Sequence, residues 1–285
     1  MIPFDWAEPA TLKEAVSLLD PEDSTVRAIA GGTALMLMMK AGVFMPSRLI
    51  SLAKIEPNYS QIRVDADGAL HVGAMASLSE LEQSANAMTH FPMMRRALRT
   101  LSNVRVRNVA RVGGALAHGD PHMDLPPLFA VLSGRVSVIG PGTSREIAVE
   151  DLYAGYYETT LGKDELIAEA ILPPLNGAKC AYVKVTSRSA DDWPALNLAV
   201  RLEMADAKTI RAARVVISAA TEKVTQLAAT ENLLAGSVPD DATLARAGDC
   251  AMSEVSFLSD AHGSAPYKKE LLRVYLARAV REALS

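Results

Sequence analysis

The feature that most constrains this chain is a pair of adjacent glycines, Gly31 and Gly32. They sit between an apolar run, Val26 to Ala30, and a stretch with helical character that ends at Lys40. A strand that must turn at once into a helix favours residues without a β-carbon, which bend sharply and leave backbone N–H groups uncovered. Arg48 to Leu52 is apolar enough for a second strand parallel to the first, so this region reads as a compact strand–turn–helix–strand unit. N–H groups converging at the glycines, with the positive end of a helix behind them, suit a phosphate or diphosphate. For a single pair, a tight turn without a ligand is the simpler explanation.

A second pair shifts that balance. Arg111-Val112-Gly113-Gly114-Ala115 repeats the pattern, and Ala117-His118-Gly119-Asp120-Pro121 follows at once. Two glycine loops can clasp one diphosphate from both sides. Arg95, Arg96, Arg99, Arg105, Arg107 and Arg111 occur with no acidic residue between Gln83 and Gly119. The segment is therefore electropositive within an acidic chain. The first three arginines read as a solvated helix face, and Arg107 and Arg111 as the ones placed for a cofactor phosphate or a partner subunit.

The rest is mixed. Thr11-Leu12-Lys13-Glu14 opens a helix in a capping-box pattern. Ile62 to Met75 alternates about Asp67-Gly68 as a hairpin, and Ser77-Leu78-Ser79-Glu80 caps another helix. Pro92 to Leu101 is helical, Asn108 to Asp124 reads as a structured loop, two extended pieces flank Gly140-Pro141-Gly142, and Glu165 to Leu172 is a strand. Pro173-Pro174-Leu175-Asn176-Gly177 marks a domain boundary. Beyond it, Ala181 to Thr186, Leu196 to Met204 and Ile210 to Ala219 suit an antiparallel meander. Three helical segments follow, at 221–234, 243–255 and 267–284.

Composition removes several partner classes. Lys and Arg total 29 against 33 Asp and Glu, a net charge of -4, which gives no support to wholesale nucleic-acid or anionic-membrane binding. The apolar run Ala34 to Met39 is far short of the roughly 20 residues of a membrane helix. The first six residues, Met1 to Trp6, lack the blocks of a secretory signal, so a cytoplasmic location is expected. The two cysteines, Cys180 and Cys250, cannot hold an iron–sulfur cluster between them, so redox chemistry would need an organic cofactor.

Other patterns compete. His118, Asp120, His122 and Asp124 alternate as metal ligands on one strand face might, which would suit a metal-dependent hydrolase. Pro121 and Pro126-Pro127 break that strand geometry, and no metal site is assigned. Asp124 reads instead as a carboxylate near a sugar hydroxyl. Gly140-Pro141-Gly142 carries Arg145 where a dinucleotide fingerprint needs its third glycine. No nucleophile motif emerges, and no catalytic residue is assigned.

Taken together, Ala30-Gly31-Gly32-Thr33-Ala34-Leu35, then Arg107 to Ala115 with Ala117 to Pro121 and Asp124-Leu125-Pro126, and Asp164-Glu165-Leu166-Ile167 before Pro173 resemble the FAD-binding medium subunits of molybdenum hydroxylases. This is the family of the carbon monoxide dehydrogenase medium chain and the flavin segment of xanthine dehydrogenase. The resemblance spans nearly the whole chain. It implies an α+β, two-domain flavoprotein. Residues 1–175 would form an FAD domain of the type shared with p-cresol methylhydroxylase and vanillyl-alcohol oxidase. Residues 176–285 would form a C-terminal domain of three antiparallel strands with a helical bundle.

The resemblance implies that Ile29, Ala30, Gly31, Gly32, Thr33, Ala34 and Leu35, with Arg111, Val112, Gly113, Gly114 and Ala115, hold the FAD diphosphate region. Asp120 and Asp124 would join the site, Asp124 against the adenosine part. Leu101, Ile167 and Lys184 match other FAD-contacting positions, and Trp193 falls where the family often places a side chain over the isoalloxazine ring. Ala34 and Ala115 replace polar residues usual there and Arg111 replaces a Thr or Ser: contacts through the backbone would cost little, with Arg111 adding a charge-assisted one, whereas side-chain contacts would mean weaker FAD binding. The activity implied is electron transfer: substrate is hydroxylated on a large molybdopterin subunit, electrons cross a small [2Fe-2S] subunit, and this chain's FAD passes them to an acceptor. A dimer of heterotrimers is implied. A stand-alone FAD oxidoreductase of the same fold is the alternative, with no acid–base pair evident for it.

Overall fold

The computed structural model describes residues 3–285; Met1 and Ile2 of the stretch read for a signal lie outside them. Three β-strands and two helices come first: β1 (Asp5–Ala7), α1 (Leu12–Ser17), β2 (Val26–Ile29), α2 (Thr33–Lys40) and β3 (Arg48–Ser51). β2 and β3 pair in parallel, as the strand–turn–helix–strand reading requires, and β1 adds to the far side of β3, giving the order β1-β3-β2. β1 escapes sequence reading because Asp5-Trp6-Ala7 is short and largely exposed, without periodicity.

β4 (Ile62–Val64) and β5 (Leu70–Gly73) form the expected hairpin. A helical layer follows: α3 (Leu78–Gln83), α4 (Ala85–His90), α5 (Pro92–Thr100), α6 (Val104–Val109), α7 (Val112–Ala117) and α8 (Leu125–Val131). The Ser77 hydroxyl accepts from the Glu80 N–H while the Glu80 carboxylate takes the Ser77 N–H, completing the capping box at α3. The segment read as a loop from Asn108 to Asp124 is corrected here, since it contains the end of α6 and all of α7. Two glycines in six residues argue against a helix on propensity. Tertiary bonds override that preference: the Val112 and Gly113 N–H groups donate to the carbonyls of Ala76 and Ala74 at 3.0 and 2.8 Å.

β6 (Arg135–Gly140), β7 (Thr143–Ala148), the small hairpin β8 (Tyr153–Gly155) and β9 (Glu158–Thr159), and β10 (Leu166–Leu172) complete the first half. Gly140-Pro141-Gly142 is the β6–β7 turn. A five-stranded sheet results, in the order β4-β5-β10-β6-β7. The second half holds β11 (Lys179–Val185), β12 (Leu196–Met204), β13 (Ile210–Ser218), β14 (Thr225–Gln226), α9 (Ala228–Leu234), α10 (Asp241–Glu254) and α11 (Ala265–Leu284). The antiparallel meander is present with a short fourth strand at its edge. β14 also corrects the helix expected from residue 221, which begins only at Ala228. Thr221 explains the delay, since its hydroxyl donates to the Lys223 carbonyl and closes a turn instead.

The meander is buried on both faces, and alternation sorts its side chains. Leu196, Leu198, Val200 and Leu202 face the α9–α11 side, together with Ala181, Val183 and Val185. Tyr182 and Ala199 face the first half and join its core with Phe129 and Leu128 of α8. Lys184 and Asn197 share that side, so two polar groups of the second half are aimed at the first. Phe129 is fully buried at this junction. Phe129→Ala should cost about 3–5 kcal/mol, seen as a lower denaturant midpoint with an unchanged m-value.

Candidate functional site

The two glycine pairs come together because of one approach. A β-carbon on Gly31 would lie 2.2 Å from the Val109 carbonyl oxygen and 2.8 Å from the Ala110 Cα, so the first loop is laid directly on the backbone leading into the second. Gly32 caps α2 at φ 67°, in the left-handed region that favours glycine, and no side chain caps that helix. The N–H groups of the first turn of a helix have no partner within it, and those of Thr33, Ala34 and Leu35 stand at the wall of a cleft.

The second pair is divided in function. A β-carbon on Gly113 would meet that of Ala74 at 2.6 Å, whereas one on Gly114 would meet nothing within 4 Å. Gly113 is needed for packing on β5's end, and Gly114 opens on the cleft.

The cleft encloses 890 Å³ and runs between the halves of the molecule, within the usual range for a small-molecule site. Of the residues proposed from sequence, Ile29 to Leu35, Leu101, Arg111, Gly114, Ala115, Asp124, Lys184 and Trp193 line it. Four do not. Val112 and Gly113 are buried behind the wall, their N–H groups committed to Ala76 and Ala74. Ile167 points into the core of the first half, while its neighbour Leu166 lines the cleft. Asp120 is buried beneath the surface, accepting from the Tyr157 hydroxyl at 2.6 Å and bonded to His122.

Electrostatics refine the charged candidates. Arg107 is bound to Glu82 at 2.9 Å and to the Ser102 carbonyl at 2.6 Å, so it serves the fold rather than the cleft. Arg111 lines the cleft, but its guanidinium already donates to the Met75 carbonyl at 3.1 Å. Asp124 accepts from the Tyr182 hydroxyl at 2.7 Å and from the Lys184 ammonium at 3.1 Å, and Lys184 also donates to the Thr100 carbonyl at 2.9 Å. Burial pushes the Asp124 carboxyl above the ordinary carboxylate range, against the pull of Lys184 and Tyr182.

Sequence reading missed His118, His122 and Tyr157 as cleft residues. The histidines had drawn notice as metal ligands with Asp120 and Asp124, a reading that the geometry overturns. His122 is held between Asp120 and Asp260, Asp124 is bound to Lys184, and His118 lies edge-on to Tyr157. Among the described residues no group of three or more His, Cys, Asp or Glu side chains is placed to hold a metal ion. Tyr157 sits at the turn between β8 and β9, joined to the cleft only by the fold.

Comparison with known proteins agrees with this geometry. Residues 2–175 match the family described as FAD binding domain in molybdopterin dehydrogenase, and residues 181–283 match the CO dehydrogenase flavoprotein C-terminal domain. The chain is 31% identical over 279 residues to the nicotine 6-hydroxylase medium subunit of Paenarthrobacter nicotinovorans, covering 98% of this chain and 96% of that one. It is 31% identical over 288 residues to the carbon monoxide dehydrogenase medium chain of Afipia carboxidovorans, with 99% and 98% covered. A solved carbon monoxide dehydrogenase structure from Hydrogenophaga pseudoflava superposes with a TM-score of 0.93 at 28% identity, covering 99% of this chain and 98% of that one.

The fold and cleft thus define a flavin-binding oxidoreductase subunit. The chain belongs to the FAD-binding medium subunits of the molybdenum hydroxylases, and its cofactor is FAD.

The buried Lys184–Asp124 pair yields a prediction. Removing one partner of a buried pair strands the other charge, so Lys184→Met should cost about 3–5 kcal/mol, and the double variant Lys184→Met/Asp124→Leu should recover most of that loss. Denaturant unfolding of the three proteins checks both outcomes.

Proposed function

We propose that the cleft holds FAD with its diphosphate between the first turn of α2 and the open face of Gly114, and its ring toward Trp193. What carries this reading is the pair of glycine positions at the cleft wall, one forced by contact with Val109 and the other open. Gly31 lets the two loops meet, and the missing β-carbon of Gly114 leaves room for a ligand at the wall. The uncapped start of α2 offers N–H groups and a positive dipole end to an anion. This arrangement accommodates Ala34 and Ala115, since a backbone grip needs no polar side chain at either position. The residues present therefore fit the cofactor.

Bound FAD supplies acceptance and release of electrons. The chain's own residues bind it, orient it and exclude water. Trp193, 41% exposed at the cleft mouth, offers an aromatic face to the ring. Lys184, positioned by Asp124, presents a buried cation to the cleft, and Asp124 keeps one edge toward the adenosine part.

The same reading extends to the partners. With Cys180 in β11 and Cys250 in α10 as its two cysteines, both free, the chain lacks the thiolates of a cluster. We assign the preceding electron carriers to a small [2Fe-2S] subunit and substrate hydroxylation to a large molybdopterin subunit, in a dimer of heterotrimers. The chain divides into the FAD domain, 1–175, and the C-terminal domain, 176–285. Among the described residues no helix is long and apolar enough to cross a membrane, in keeping with a cytoplasmic place for the complex.

The purified chain should show flavin absorption and release FAD rather than FMN. Gly114→Asp, whose side chain meets no protein atom within 4 Å of its β-carbon, should fold and yet bind FAD at least about 100-fold more weakly. The cause is a carboxylate set against a diphosphate at short range. Full retention of flavin by this variant would overturn the diphosphate assignment. Trp193→Ala should keep the cofactor and alter its visible spectrum, and an unchanged spectrum would remove Trp193 from the ring.

A further inference from the structure

A second charged cluster lies at the cleft wall. The imidazole of His122 lies between two carboxylates, with Nδ1 2.9 Å from Asp120 Oδ1 and Nε2 3.0 Å from Asp260 Oδ2. A neutral imidazole has one N–H and one bare nitrogen, so it satisfies only one of these contacts. An imidazolium donates to both. Asp260 is held in turn by the ammonium of Lys268, at 2.5 Å, and by the His262 N–H at 2.8 Å. Lys268 is fully buried and also donates to the Ala219 carbonyl at 2.8 Å.

The cluster crosses between the halves of the molecule. Asp120 and His122 lie between α7 and α8, Asp260 precedes α11, and Lys268 lies within it. A parallel backbone link runs beside the side chains, because the Ala219 N–H donates to the Pro121 carbonyl at 2.8 Å. Ala219 adopts φ 66°, a left-handed conformation costly for a residue with a β-carbon. The bond from its N–H to the Pro121 carbonyl and the bond from Lys268 to its own carbonyl hold it there. The same segment walls the cleft, since His122, Met123 and Asp124 all line it. The His122 ring stands edge-on to Trp193 with centroids 5.8 Å apart.

We propose that His122 is a positioning residue whose imidazolium latches the cleft wall at residues 122–124 to the C-terminal half through Asp260, and thereby sets how tightly the cleft keeps its FAD. The proposal rests on the placement of FAD in this cleft. Every group facing the ring is consistent with a charged latch. Asp120 is itself bound by Tyr157, His262 lies 5.2 Å from the His122 centroid, and Lys268 meets the ring only through Asp260. His118 lies beyond Tyr157, and Asp192 is engaged by Arg188.

Burial works against a charged His122, but hydrogen bonds and charge from Asp120 and Asp260 outweigh it and raise its pKa above the ordinary 6.5. Despite its own burial, Asp260 is held down to about 2 by Lys268 and His122. The sign follows. A base whose pKa is raised in the folded state contributes its full effect at low pH and loses it as pH rises through the raised value. The latch is therefore closed below and open above that value.

The test measures FAD released from the 285-residue chain, by the fluorescence of free flavin, at a series of pH values between about 6 and 9. The wild type should lose roughly tenfold in FAD affinity across the His122 titration. Asp260→Asn should move that loss to lower pH, because it removes one of the two carboxylates that hold the proton. His122→Gln should bind FAD at the weaker level with no pH dependence over the range. NMR titration of the His122 ring in the FAD-free chain supplies a reading independent of the cofactor, with a midpoint above 6.5 in the wild type and a lower one in Asp260→Asn. Tight FAD retention at every pH, or an unshifted profile in Asp260→Asn, would overturn the latch while leaving FAD in the cleft. A wild type that holds no FAD at any pH would remove the cleft assignment itself and the latch with it.

Discussion

The site depends on the contact of Gly31 with Val109 and Ala110. Any β-carbon at residue 31 would overlap the Val109 carbonyl, so the loop after β2 can lie on the end of α6 only with glycine there. That contact fixes the distance between the two glycine loops, which come from sequence positions about eighty residues apart. The start of α7 is then fixed from its other side by Ala74 and Ala76. The cleft wall is thus positioned by main-chain bonds and by the absence of side chains. A grip made by N–H groups is insensitive to what the side chains are, provided that they are small.

The opposite wall follows a different rule. β11 and β12 are covered on both faces, so alternation does not separate inside from outside but one core from another. Ala181, Val183 and Val185 belong to the helical side, while Tyr182 and Lys184 face the first half. A one-residue slip of β11 would exchange these sets and bury Lys184 among Leu272 and Leu276. The register that pairs Lys184 with Asn197 and Tyr182 with Ala199 is therefore what delivers a cation to the cleft.

Much of this was legible in the sequence. The parallel unit at 26–52, the Ser77 capping box and the three long strands of the meander all follow from periodicity and turn residues. The glycine loops marked the two segments that meet at the cleft wall. What sequence hid was tertiary in origin. α7 forms against the propensity of Gly113 and Gly114 because Ala74 and Ala76 supply acceptors, and β1 exists because β3 has a free edge. Arg107 looked available until Glu82, twenty-five residues away, was found beside it. The alternation of His118, Asp120, His122 and Asp124 suggested convergence on one ion, but the chain turns at Gly119, φ 75°, and Pro121. The side chains are then engaged separately, His118 edge-on to Tyr157, Asp120 and His122 with each other and with Asp260, and Asp124 with Lys184. Asp260 and Lys268 lie far along the chain, and no local pattern ties them to His122.

Two charged networks cross between the halves, Lys184–Asp124 and Asp120–His122–Asp260–Lys268, beside an apolar junction that includes Phe129 and Tyr182. Desolvation makes such pairs poor sources of net stability compared with apolar contacts of similar volume. Their contribution is directional. An apolar junction tolerates small displacements, because dispersion and area burial change gradually as surfaces slide. A carboxylate between two donors does not, because hydrogen-bond energy falls steeply with distance and angle. Asp124 on the cleft wall and Asp120 beneath it stand four residues apart, each tied to a different element of the second half, the first to β11 and the second through His122 to the segment before α11. Two directional ties at separate points resist rotation as well as translation, and a cleft formed between two halves keeps a constant width only if both are resisted.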